Sequence, residues 1–181
     1  MTQQPDNSKQ DRPRHRRSVR MVGYDYHAPG AYFVTICAYE RESLFEDALL
    51  YSLIETKWSA LPSRFPTITL DEFIIMPNHI HGIIWLRLPT TGEGIPVPML
   101  GDVVCTFKSL VAVEYIRWVK ANDPNRSARV WQRNYYDHVI REETELTKVR
   151  DYIRSNPIRW LEKRDNLDAL VVRMRERHTA Q

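Results

Sequence analysis

Residues 67–86 read TITLDEFIIMPNHIHGIIWL. Thr67–Met76 alternates Ile68, Leu70, Glu72 and Ile74 against Thr69, Asp71, Phe73 and Ile75, the period of a strand. Pro77–Asn78 is a turn dipeptide, and His79–Leu86 is a second strand-forming run. Strands joined by so short a link form an antiparallel hairpin. Upstream, Tyr32–Tyr39 (YFVTICAY) is β-branched and aromatic and reads as an earlier strand, with Pro29–Gly30 marking the turn before it. Leu49–Leu61 places Leu50, Leu53, Ile54, Trp58 and Leu61 on one helical face, and Pro62 and Pro66 are expected to end that helix and bracket a loop. Downstream, Arg87–Met99 holds three prolines and two glycines and reads as a loop. Leu100–Lys120 carries Val103, Phe107, Leu110, Val111 and Tyr115 at helical spacing. Val130–Ile140 contains a fourth short strand, and Glu142–Ser155 reads as a helix with acidic residues in its first turn. Pro157 is expected to end that helix near Ser155–Asn156. The order β-α-β-β-α-β-α predicts an α+β fold: a ferredoxin-like antiparallel sheet with helices on one face and one appended C-terminal helix.

The chain has 181 residues, 43% hydrophobic and 27% charged, which suits one globular domain that buries a core without disulfide or metal staples. The charge is unevenly placed. Residues 1–20 hold six basic and two acidic residues, a net of +4, and residues 21–181 hold 20 basic and 21 acidic, a net of −1. A strongly basic body is excluded. The division expected is a basic, mobile tail over 1–20 and a single domain over 21–181. No apolar run approaches a membrane span, and the polar, Arg-rich N-terminus lacks the apolar region of a secretory signal. The expected location is therefore the cytoplasm. Cys37 and Cys105 lie far apart in apolar surroundings and read as two reduced core thiols.

Two groups of residues carry chemistry. His79 and His81 sit at i and i+2 of a strand, so both imidazoles project from one face, roughly 6–7 Å apart at Cα. Such a pair can supply two nitrogens to a divalent metal, and Gly82 beside it leaves room on the opposite face. One histidine can equally serve as a hydrogen-bonding core residue. Tyr152 and Asn156 are four apart and share a helix face, whereas Leu146, Val149 and Ile153 form the apolar seam. Tyr152 is placed to present its hydroxyl, and the Asn156 amide oxygen can be a third neutral ligand. Alternatively, the tyrosine packs at a core edge and the asparagine caps the helix. Arg14, Arg16, Arg17 and Arg20 in the tail, with Lys108, Arg133 and Arg141 near the motifs, are candidate phosphate contacts. Trp131 and Tyr135 are candidate stacking surfaces for bases. Tyr135, Tyr136 and His138 form an aromatic motif whose role the sequence leaves open.

Taken together, the motifs resemble one family. They are Arg17–Met21 (RSVRM), Gly23–Tyr26 (GYDY), Tyr32–Cys37, Met76–Gly82 (MPNHIHG), Phe107–Ser109 (FKS), Trp131–His138 (WQRNYYDH) and Tyr152–Pro157 (YIRSNP). In this order they are similar to the REP-associated tyrosine transposases, single-tyrosine HUH enzymes related to the transposases of the smallest insertion sequences. The resemblance runs from about residue 17 to about residue 161. It implies that His79 and His81 are the HUH metal ligands, Asn156 the third ligand and Tyr152 the nucleophile carried by the appended helix. It also implies nicking and rejoining of single-stranded DNA at short palindromic hairpins through a 5′-phosphotyrosine. Either Mg²⁺ or Mn²⁺ is expected as cofactor, since imidazole ligands favour Mn²⁺ and Mg²⁺ is the more available. The partner implied is hairpin or single-stranded DNA, with nucleoid association through it, and a monomer is favoured over a dimer. Two other readings compete: a hairpin-binding protein without catalysis, and a metal-dependent nuclease that uses water.

Overall fold

A computed structural model of the chain describes residues 25–89 and 96–161. The strands are β1 (Gly30–Cys37), β2 (Ile68–Met76), β3 (His79–Leu86) and β4 (Tyr136–Ile140). The helices are α1 (Ala48–Ser59), α2 (Leu61–Arg64), α3 (Leu100–Asn122) and α4 (Glu143–Leu161). The strands form one sheet in the order β2-β3-β1-β4, with every neighbouring pair antiparallel. This is the α+β sheet expected from the sequence. The chain crosses from the β1 end to the paired β2–β3 hairpin through α1, then returns to the free edge of β1 through α3.

The period of two along β1 and β3 divides the core in two. Tyr32, Val34 and Ile36 with Ile80, Ile84 and Leu86 face α1 and α3, where they meet Leu50, Ile54, Trp58, Val103, Phe107 and Val111. Ala31, Phe33 and Ile83 face the other way, with Ile140, and are covered by Leu146 and Ile153 of α4. The appended helix therefore lies on the sheet face opposite α1 and α3. Trp58 stacks on Phe73 with ring centroids 4.5 Å apart and tilted by only 14°. That stack exists because residue 82 has no side chain: a methyl group there would stand 2.7 Å from Trp58 Cη2. Gly82→Ala is accordingly expected to destabilise the fold by about 1–3 kcal/mol through overpacking, read as a lower midpoint in urea. An unchanged midpoint would mean that the indole has room to move.

The structure corrects the sequence reading in four places. First, β2 does not alternate throughout. Leu70 pairs with Ile84 but Phe73 with Gly82, so one extra residue is inserted as a β-bulge. Downstream of it Phe73 faces α1 and Ile74 faces α4, while Asp71 and Glu72 both reach α4. Second, Pro62 does not open a loop; it sits in the first turn of the short helix α2, where its missing N–H is not needed. Third, α4 runs to Leu161 with Pro157 inside it. Fourth, Cys105 is exposed, whereas Cys37 is buried.

Candidate active site

His79 and His81 are fully buried near the start of β3, on the α4 face. Their Nε2 atoms stand 3.0 Å apart. The remaining ring nitrogens are both engaged: His79 Nδ1 lies 2.7 Å from Asn78 Oδ1, and His81 Nδ1 lies 2.8 Å from the hydroxyl of Thr35, its partner across the β1–β3 ladder. Burial pushes His79 down to about 4, helped by the Arg41 guanidinium. Burial also holds His81 well below the usual histidine range, with His79 adding to it. Both imidazoles are therefore neutral at physiological pH and keep a lone pair available.

Helix α4 is fixed over this pair by charge as well as by its apolar seam. Asp71 accepts from Arg150 Nε at 3.0 Å and Nη2 at 2.6 Å. The indole of Trp85 donates to the same carboxylate at 3.0 Å. The bond from Arg150 is the main cause that draws the Asp71 carboxyl down to about 2, against the opposing effect of burial. Arg154 bonds Glu72, and at the helix start His138 Nε2 lies 2.7 Å from Glu145 Oε1. The bulge that sends Asp71 and Glu72 to one side is thus what docks the helix.

Docked this way, α4 delivers Tyr152, Asn156 and Trp160, spaced four apart along one face. The Tyr152 hydroxyl is 3.4 Å from His81 Nε2, and its ring meets Phe33 edge-on at 6.1 Å. Trp160 lies over His79 with centroids 5.9 Å apart. Between them Asn156 is 0% exposed, and neither its Oδ1 nor its Nδ2 has a hydrogen-bond partner among the described residues. The histidines, the tyrosine and the asparagine all come from this one chain.

The donor set suits a divalent cation. Two nitrogen ligands at right angles around a metal with bonds of about 2.1 Å stand about 3.0 Å apart, which is the observed Nε2 separation. A buried amide with no partner is a further oxygen donor that only a ligand would satisfy. Among the described residues no group of three His, Cys, Asp or Glu is placed to hold a metal, and the Asn156 amide is the buried oxygen donor next to the histidine pair.

The basic candidates separate. Arg14, Arg16, Arg17 and Arg20 lie outside the described residues. Lys108 has its ammonium tied to the chain itself, donating to the carbonyls of Gln132 at 2.6 Å and Arg133 at 3.0 Å. The Trp131 indole returns a bond to the Lys108 carbonyl at 3.0 Å. Lys108 is thus a clamp on the loop before β4, and Trp131 packs into the core against Phe107. Arg133 is exposed, on the loop that bridges to Ala38 at the sheet end carrying His79. Arg141 is exposed at the opposite end, beyond the Ala31–Ile140 pair. Tyr135 is buried in the core, and Tyr136 pairs with Thr35 on the site face.

No family model matches the chain. An uncharacterised protein of Haemophilus influenzae is 36% identical over 168 residues, covering 81% of this chain and 90% of its own length. A second protein of the same organism, provisionally named a REP-associated tyrosine transposase, is 26% identical over 136 residues, covering 75% and 74%. Among solved structures, a REP-associated tyrosine transposase bound to a REP hairpin superposes with a TM-score of 0.55 at 18% identity, covering 75% of this chain and 72% of that one. The chain is thus similar in sequence to a provisionally named REP-associated tyrosine transposase and shares the fold of the solved one. Sequence reasoning missed four residues that line or support the site. Trp160 continues the Tyr152–Asn156 spacing by one more turn. Arg159 sets its guanidinium carbon 5.3 Å from the Tyr152 ring centroid, at the i+7 position of the same helix. Asn78 was visible only as a turn residue and Thr35 only as a strand residue. Among the described residues no helix is long and apolar enough to cross a membrane.

Proposed function

We propose that this chain cuts and rejoins single-stranded DNA at short palindromic hairpins, with Tyr152 as the covalent nucleophile. The observation that carries the reading is the tyrosine hydroxyl placed 3.4 Å from a buried, neutral histidine pair, with a partnerless buried amide one helical turn further on. The solved relative's REP hairpin supports a hairpin substrate. His79, His81 and Asn156 would hold the divalent cation, Mg²⁺ or Mn²⁺. When bound, it polarises the scissile phosphate and offsets the charge that develops there.

The chain's own residues do the rest. The Tyr152 phenol gives up its proton and Oη bonds to phosphorus. The bond from phosphorus to the 3′ oxygen breaks, and that oxygen leaves as a protonated 3′-hydroxyl. The DNA is left as a 5′-phosphotyrosine, and attack by a 3′-hydroxyl reverses the exchange, so the bond energy is retained for rejoining. Arg159, over the tyrosine ring, favours negative charge on the phenol. Phe33 and Ile153 hold the ring and exclude water from its inner side. Arg133, exposed on the loop before β4, is placed to meet a phosphate.

The test is a 3′-labelled hairpin oligonucleotide incubated with the protein and Mg²⁺ or Mn²⁺. The label is expected to move to a protein-sized band on a denaturing gel. Free cleaved fragments without that band would instead indicate hydrolysis by water, and tight binding without cleavage would indicate a hairpin-binding protein.

A further inference from the structure

The loop that enters β4 is held along its whole length. The carbonyl of Val130 accepts from the Tyr39 amide at 2.8 Å, and the Gln132 amide donates to the carbonyl of Cys37 at 3.0 Å. Between them the Trp131 ring is wedged against Phe45 and Phe107, with centroids 5.2 and 5.6 Å away. Tyr135 is buried and closes the loop. The carbonyls of Gln132, Arg133 and Asn134 converge on the Lys108 ammonium at 2.6, 3.0 and 3.4 Å. Lysine gives up more side-chain freedom than most residues when it is held in this way. A loop that served only as a connection would not need such a clamp.

What the clamp leaves at the surface is polar. Arg133 and Asn134 are exposed, and Gln132 is half-buried. Cys37, to which Gln132 is bonded, is the ladder partner of His79. Two strand spacings therefore separate Gln132 from His79, about 10 Å. That is close enough for a nucleotide adjoining a phosphate held at the histidine pair. An amide, a guanidinium and a second amide are thus offered in order at the rim of the site, on a backbone fixed in advance. A carboxamide pairs at two points with adenine, and an unstacked base in a single strand exposes its edge for such pairing.

We propose that the loop Gln132–Asn134 reads a base beside the scissile phosphate, and that Lys108 is the positioning residue that holds the loop in its reading shape. Asn134, the exposed amide, selects adenine. Arg133 holds the neighbouring phosphate and adds affinity without selecting a base. The inference deepens the proposed function and rests on it for the place of the scissile phosphate.

The test is a pool of hairpin oligonucleotides whose single-stranded flank carries every base at each position, mixed with the full chain and Mg²⁺. The bound fraction is sequenced, and covalent adduct is scored separately. Wild type is expected to enrich adenine at one flank position about 10-fold or more. Asn134→Asp accepts from cytosine and cannot donate, so it should move that preference from adenine to cytosine. Lys108→Met should flatten the preference and leave the slope of affinity against salt unchanged, since the ammonium is spent on carbonyls. Lys108→Arg should restore part of the preference. Arg133→Ala should weaken every pool member alike and reduce the salt slope by about one. An adenine preference that persists in Asn134→Asp would overturn the proposal. So would an intact preference with a reduced salt slope in Lys108→Met, which would make that lysine a phosphate contact. Asn134 is exposed, so its substitution decides the matter even where Lys108→Met does not fold. A preference that moves with Asn134→Asp while no pool member forms an adduct would instead defeat Tyr152 as nucleophile and leave the reading loop standing.

Discussion

Replacing Tyr152 by phenylalanine is expected to abolish the covalent protein–DNA band while leaving hairpin affinity and folding near wild type. Removing a covalent nucleophile lowers turnover by a factor on the order of 10⁴–10⁶. The substitution deletes only the hydroxyl. The ring keeps its edge contact with Phe33 and its place under Arg159, and the lost contact to His81 is a long one at 3.4 Å. The thermal midpoint should therefore barely move. Tyr136 is the informative control, because it also lies on the site face but belongs to β4 rather than to the helix that carries Asn156. Persistence of the covalent band in Tyr152→Phe, with its loss in Tyr136→Phe, would transfer the nucleophile to β4. Cleavage that persists with no covalent band would establish hydrolysis by water.

The parts of this site that were legible in the sequence are those with a local signature. His79 and His81 are two apart on a strand, so their common face follows from the pleat. Tyr152 and Asn156 are four apart on a helix, so theirs follows from the helical repeat. What could not be read is what depends on distant partners. The bulge at Asp71–Glu72 has no local mark, since the sequence alternates cleanly through it. It is specified by Arg150 and Arg154, 79 and 82 positions away from Asp71 and Glu72. The continuation of α4 beyond Pro157 is a similar case. Local preference turns the residue before a proline away from helix, but the turn that follows carries Arg159 onto Tyr152 and Trp160 onto His79. Those contacts prevail over the one backbone hydrogen bond that proline removes. Lys108 shows the reverse error. A lysine near a motif suggests a phosphate, yet the carbonyls of the following loop occupy it.

Asn156 should reveal the tension between stability and function most directly. A buried amide without partners costs the fold about 1–3 kcal/mol, and nothing among the described residues relieves it. Leucine has a similar size and no polar atoms. Asn156→Leu is thus expected to raise stability by about 1–2 kcal/mol, a gain of roughly 2–8 °C in midpoint for a chain of this size. The same change removes the proposed cation donor and should reduce cation-dependent cleavage on the order of 100-fold or more. A cation site explains both signs together, because the desolvated amide is unfavourable alone and favourable only with its ligand. A structural amide predicts the opposite pair, a lower midpoint with cleavage retained. Wild type alone should gain midpoint with added Mn²⁺, as ligand binding to the native state requires, and Asn156→Leu should lose most of that gain. If leucine instead lowers the midpoint while the Mn²⁺-dependent shift survives, Asn156 holds the helix rather than the metal.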